Sequence, residues 1–182
     1  MKKVFFLIFL LFTIHTQGQT YIKANLVSAL VLVPNVGVET SIGKKSTFQF
    51  DITASFWKSV NSKPAEFYIF IPEYRYHFQE KFNGLYLGGH IGATLFNFQK
   101  WSHFDTSQIQ KGFGYVMGVT IGYQAVINKK FNLDFFLAGG NHQGFYKGYN
   151  PDGSRYDFAE DYNKSGEWLI YRGGVMLSYK LN

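Results

Sequence analysis

The strongest constraint on this chain is the run Trp168-Leu-Ile-Tyr-Arg-Gly-Gly-Val-Met-Leu-Ser-Tyr-Lys-Leu181, followed only by Asn182. Leu169, Tyr171, Gly173, Val175, Leu177, Tyr179 and Leu181 occupy its odd positions, and Arg172, Gly174, Met176, Ser178 and Lys180 the even ones. A period of two puts these sets on opposite faces of a β-strand, one oily and one polar. Chain termini of soluble domains usually fray, so a strand this regular is unusual there. In an outer-membrane barrel the last strand pairs with the first, because an open edge in hydrocarbon leaves backbone groups unsatisfied. The run therefore predicts a closing strand with Leu169 to Leu181 facing lipid.

The other end of the chain agrees with export. Met1-Lys2-Lys3, an apolar run from Val4 to Phe12 and the small residue Gly18 form the pattern of a cleaved secretory signal. The expected division is a signal peptide over 1–18 and one outer-membrane barrel domain over 19–182. The apolar run is shorter than the roughly 20 residues a spanning helix needs, and no later run is longer, so residence in a membrane has to be by strands. Aromatic residues make up 20% of the chain and charged ones only 16%, against about a quarter charged in soluble domains. That balance suits an outer surface in lipid with aromatic residues at its interfaces. With no cysteine, disulfides, thiolate metal sites and a lipidated cysteine are excluded. The formal charge of +6 falls to about +4 without Lys2 and Lys3, too little and too scattered for a nucleic-acid surface.

Alternation recurs over 22–30, 36–42, 47–57, 66–78, 84–96, 113–127, 132–143 and 168–181, between turn signals such as Gly43-Lys44-Lys45-Ser46 and Asn150-Pro151-Asp152-Gly153. This predicts an all-β fold: an eight-stranded antiparallel up-and-down transmembrane β-barrel. Short turns are expected after the second, fourth and sixth strands, and long loops over 58–65, 97–112 and 145–166, the asymmetry of outer-membrane barrels. Pro72 lacks a ladder donor and is expected to mark a bulge or kink.

A soluble barrel with an oily interior would alternate equally well. The content of the polar face favours the opposite arrangement. It carries Lys23, Arg75, Arg172 and Lys180 against Glu39, Asp51, Glu73 and Asp134, four of each sign, and balance matters only where charges are enclosed. These eight are the expected polar network of the lumen. Gly174, Leu177, Tyr179 and Leu181 form the pattern of a C-terminal insertion signal read by the barrel-assembly machinery.

Candidate chemistry is sparse. Glu73 and Arg75, two apart on one face, suit an internal ion pair better than a pore gate. His77, His90 and His142 fall on three segments without ligand spacing and read as lumen or rim histidines. Asp152, Asp157, Glu160 and Asp161 lack the spacing of a calcium loop and read as solvated acids. No metal or other cofactor is expected. Trp101 and His103, with Tyr146, Tyr149, Tyr156 and Tyr162, offer an aromatic surface on the outer loops, either a binding rim or loop packing. Ser102, His103 and Asp105 contain the residue types of a hydrolase but no orienting motif.

Lys23-Ala-Asn25, Pro34-Asn-Val-Gly37-Val-Glu39, Trp57, Pro72-Glu73-Tyr-Arg75-Tyr76 and Phe82-Asn83-Gly84 resemble a small outer-membrane barrel family classed as a domain of unknown function and met in Gram-negative bacteria with fimbriae. The likeness covers about the first two thirds of the mature chain; His77 departs from it, standing where an aromatic such as tryptophan is expected. It implies an OmpA-like barrel of unassigned activity and brings no catalytic residues. The expected function is non-enzymatic: a monomeric barrel with a side-chain-filled lumen, in contact with outer-membrane lipid and the assembly machinery, its loops meeting a surface or fimbrial protein partner. A narrow pore is the alternative, and a lipid-modifying enzyme a more remote one.

Overall fold

A computed structural model describes residues 18–100, 106–157 and 159–182. Eight antiparallel strands follow one another in a ring: β1 (Thr20–Asn25), β2 (Asn35–Ser41), β3 (Ser46–Val60), β4 (Lys63–His77), β5 (Gly84–Phe98), β6 (Ile109–Val126), β7 (Phe131–Tyr149) and β8 (Asn163–Lys180). Each pairs with its neighbour in sequence, and β1 pairs with β8, closing the barrel. The C-terminal run is thus the closing strand. Turns over 42–45, 78–83 and 127–130 define a lower end of the molecule, and the β3–β4, β5–β6 and β7–β8 connections an upper one.

The alternation divides the side chains as a pleated wall requires. On β6, Tyr115, Met117, Val119, Ile121 and Tyr123 are exposed, with Val119 at 68%, while Val116 and Thr120 between them are buried. Tyr115 to Tyr123 spans about 27 Å along the strand at about 3.4 Å per residue, or about 20 Å once a tilt of about 40° is allowed for. Tyr74, Tyr76, Phe78, Tyr123 and Tyr179 form an exposed aromatic zone near the lower end, and Phe56, Trp57, Phe113, Tyr115 and Trp168 another higher up. Between them the outer surface is largely aliphatic.

Four expectations need correction. The first strand ends at Asn25, whose side-chain oxygen accepts from the Val27 and Ser28 amides and caps a five-residue helical turn, α1 (Leu26–Leu30). Apolar residues satisfy either period over so short a stretch, and the cap decides. The loop expected over 58–65 is instead a ribbon, in which β3 and β4 run on to a turn at Asn61 and Ser62. Both turn residues have positive φ, as a tight two-residue hairpin connection demands. Pro72 causes no register shift: β4 pairs with β5 at Phe70↔Ala93, lapses at the proline, and resumes unshifted at Glu73↔His90.

The fourth correction concerns the closing strand. Register between β7 and β8 shifts by one between Ala138↔Arg172 and Gly139↔Ile170, leaving Tyr171 as the extra residue of a β-bulge. Tyr171 and Arg172 both turn inward, where the tyrosine hydroxyl lies 2.5 Å from His90 Nε2. Above the bulge the facing reverses, so Trp168 and Ile170, not Leu169 and Tyr171, are the strongly exposed pair.

The ring is uneven in height. β1 meets β8 only from Tyr21↔Lys180 to Asn25↔Met176, so β8 above Met176 has β7 on one side and, among the described residues, no strand on the other. There α1 packs against β8, and the Asn25 amide donates to the Gly173 carbonyl at 3.2 Å. Gly174 sits at φ +144°, and a Cβ there would come within 2.4 Å of the Asn25 side chain; only glycine fits this corner.

Candidate functional site

The inward face of the lower half holds a continuous polar network. Lys23, Glu39, Gln49, Asp51, Glu73, Arg75, Asp134 and Thr120 are fully buried there. The Lys23 Nζ donates to Glu39 at 2.7 Å, to Gln49 at 2.9 Å and to Asp134. Arg75 donates to Glu73 at 2.6 Å and to Asp134 at 2.7 Å, and its guanidinium lies 4.6 Å from the centroid of the Tyr86 ring. Arg172 binds Asp51 at 2.7 Å and Glu73 at 3.1 Å. Tyr86 completes Asp134, Thr47 and Gln124 complete Glu39, and Thr120 completes Glu73. Every strand contributes. Buried charge is tolerable only when paired and hydrogen-bonded in this way.

Seven of the eight expected network residues come together. Lys180 does not. Its position has inward parity, but it is the last residue of β8, half-buried at the lower rim, and none of the described residues forms an ion pair with it. The buried count is then three cations against four carboxylates. His77 lies 3.7 Å from Glu39 and His90 3.8 Å from Glu73.

Below the network the lumen is stoppered. Phe82, at φ +62°, folds in from the β4–β5 turn and is 3% exposed. Its ring centroid lies 4.6 Å from that of Tyr21 and 6.4 Å from that of His77, and its carbonyl accepts from Asn132 at 3.2 Å. His77 therefore occupies the space of an inward aromatic, its ring tilted against that of Tyr86 at 5.2 Å between centroids.

Above the bulge the interior loosens. His90 reaches Tyr171 and Thr120, and His142 bonds Thr94 at 3.0 Å. A cavity of about 550 Å³ is lined by Phe98, Lys100, His142, Glu167, Trp168 and Leu169, with Lys100 paired to Glu167. No group of three or more His, Cys, Asp or Glu suited to a metal ion occurs among the described residues.

Of the aromatic surface expected on the loops, Trp101 and His103 lie outside the described residues, as do Ser102 and Asp105. Tyr149 is half-buried beside a cavity of about 580 Å³ that also touches Lys63, Asn97 and Asn150. Tyr156 is folded back onto the strands: its ring lies against Gly148, where a Cβ would meet it at 2.2 Å, and its hydroxyl accepts from Gln110 at 3.2 Å. It packs the loop. Burial would raise the Asp157 carboxyl, but the Gly148 amide and the Arg155 guanidinium hold it below the usual carboxylate range. Asp152 is lowered by hydrogen bonds from Ser154. These two acids order their own loop.

Near the end of the chain, Leu177 pairs with Ala24 and Leu133, and Tyr179 packs on Phe131 at 5.2 Å between ring centroids. Leu181 lies just past the strand and is exposed. Tyr171, hidden by the bulge, is the residue that alternation puts on the wrong face; Tyr86, Gln49 and Gln124 join the network with the inward parity that alternation gives them.

Fold and site together define a class: an eight-stranded up-and-down β ring with charges inside and apolar side chains outside. Residues 3–181 match the family model described as protein of unknown function, DUF3575, and the chain belongs to that family. A comparison with curated proteins finds no match.

Proposed function

We propose that this protein is a non-enzymatic outer-membrane β-barrel with a structural or surface-interaction role, exported by a signal peptide over 1–18 and anchored with its lower end in the periplasm. The observation that carries this reading is the inversion of polarity: Lys23, Glu39, Arg75 and Asp134 have no solvent exposure, whereas Val119, Trp168 and Ile170 are among the most exposed side chains. In water that arrangement would place apolar residues on nearly every outer strand face; in a bilayer it is the arrangement required. Gly174, Leu177, Tyr179 and Leu181 would serve as the insertion signal for the assembly machinery, as the sequence pattern suggests. The upper ribbons are then the parts offered to a surface or fimbrial protein partner.

A variant keeping Trp168 as its single tryptophan, with Trp57 and Trp101 changed to phenylalanine, tests the lipid-facing wall. Reconstituted into vesicles of brominated phosphatidylcholine, its fluorescence is expected to be strongly quenched. Unquenched emission would overturn the membrane reading. In planar bilayers the protein is expected to give no steady ion conductance, because side chains fill an eight-stranded interior. A stable conducting level would favour the narrow pore instead.

A further inference from the structure

We propose that the outward face of β6 and β7 near the upper end binds the exposed phosphate of a membrane lipid, through Lys111 and Lys147. This rests on the membrane reading and adds a ligand to it. The two lysines are directly opposite across the ladder, Lys111↔Lys147. Like charges so placed repel and weaken a sheet. Neither forms an ion pair among the described residues. Lys147 is held 5.1 Å from the centroid of the Tyr162 ring, and Lys164 stands exposed opposite Phe145, one outward step lower. The acid of this face, Glu66, accepts from Asn97 at 2.9 Å.

Position matters as much as charge. Lys111 lies one outward step above Phe113, and Lys147 one above Phe145, whose rings stack at 5.5 Å between centroids. Lys111, Lys147, Glu66, Tyr68 and Phe113 line a cavity of about 580 Å³. The apolar wall ends here and the cations begin, which is the depth of a lipid headgroup. An acyl chain on Tyr115 and Met117 would bring its phosphate to both ammonium groups, and the bound anion would relieve their repulsion.

The test is native mass spectrometry of the intact mature chain, folded in dodecyl maltoside micelles, with added phosphatidic acid, with phosphatidylcholine of the same acyl chains, or with inorganic phosphate. Phosphatidic acid is expected to bind about tenfold better than phosphatidylcholine. Changing Lys111→Gln and Lys147→Gln together should abolish that preference; Lys111→Arg with Lys147→Arg should keep it. Equal preference in the glutamine variant and the parent would overturn the proposal, as would binding of inorganic phosphate as strong as that of the lipid. Heat-modifiable migration, read in parallel, separates the two claims. A chain that forms the folded band but shows no preference removes only the phosphate site, whereas a chain that forms no such band in any detergent removes the membrane reading.

Discussion

The lower and upper halves of this barrel solve the problem of an enclosed interior differently. Below the bulge at Tyr171 the ring is closed by β1, and its interior is crossed by salt bridges between fully buried groups, such as Arg75 to Asp134 at 2.7 Å. Above it, β8 has no strand on one flank among the described residues, and an ion pair there, Lys100 to Glu167, has side chains 14% and 35% exposed. The strands β3 to β8 continue upward beyond the short β1 and β2. Closure demands charge pairing because water is absent, and where the wall opens that demand relaxes. The lower half is therefore built for permanence, and the upper half has room to vary.

Single changes can break this contrast or sharpen it. The largest effect is expected from deleting Val175, within the uninterrupted ladder below the bulge. One residue less reverses the facing of a whole half-strand, and the heat-modifiable band should disappear. Next is Arg75→Leu, which removes one of the two cations that each of Glu73 and Asp134 binds, leaving Arg172 and Lys23; chemical unfolding in detergent should show a loss of about 3 to 5 kcal/mol. Deleting Tyr171 instead should be far milder, about 1 kcal/mol for the lost His90 contact, since the ladders on either side are already in register around it. If that deletion is as damaging as loss of Val175, the bulge assignment is wrong. Smallest is Lys100→Gln in the upper half, expected to shift stability by no more than about 1 kcal/mol. A loss matching that of Arg75→Leu would erase the distinction between the halves.

The faces of the strands were legible because pleating imposes a strict period. On β6 every second residue from Phe113 to Tyr123 is exposed, and the alternation of oily and small or polar residues says so directly. The lumen charges were legible for the same reason. Tyr171 was not, because an inserted residue in a bulge looks like one more step of the pattern, and only the pairing with β7 exposes it. Lys180 has the right parity but stands where the strand ends, and parity carries no information on reach. The ribbon was hidden because Lys58, Asn61, Ser62 and Lys63 are polar in the manner of a loop, although Lys58 and Lys63 belong to the strands and only Asn61 and Ser62 form the turn. Pro72 misled in the other direction: a missing donor interrupts pairing locally without moving the register.

The seam between β1 and β8 has a bearing on how the chain folds. Every other strand pair joins neighbours in sequence, so seven hairpins can form from local contacts, but Ala24 must find Leu177 across nearly the whole chain. Bringing such distant segments together carries the largest loop-closure entropy in the molecule. Lys23 sits on that seam and points to Asp134 on β7 and Glu39 on β2. Until β1 docks, those carboxylates share only the Arg75 guanidinium; once it does, sheet closure and the second cation arrive together. Ring formation is expected to be a late, all-or-none event, and Lys23 the residue whose arrival marks it.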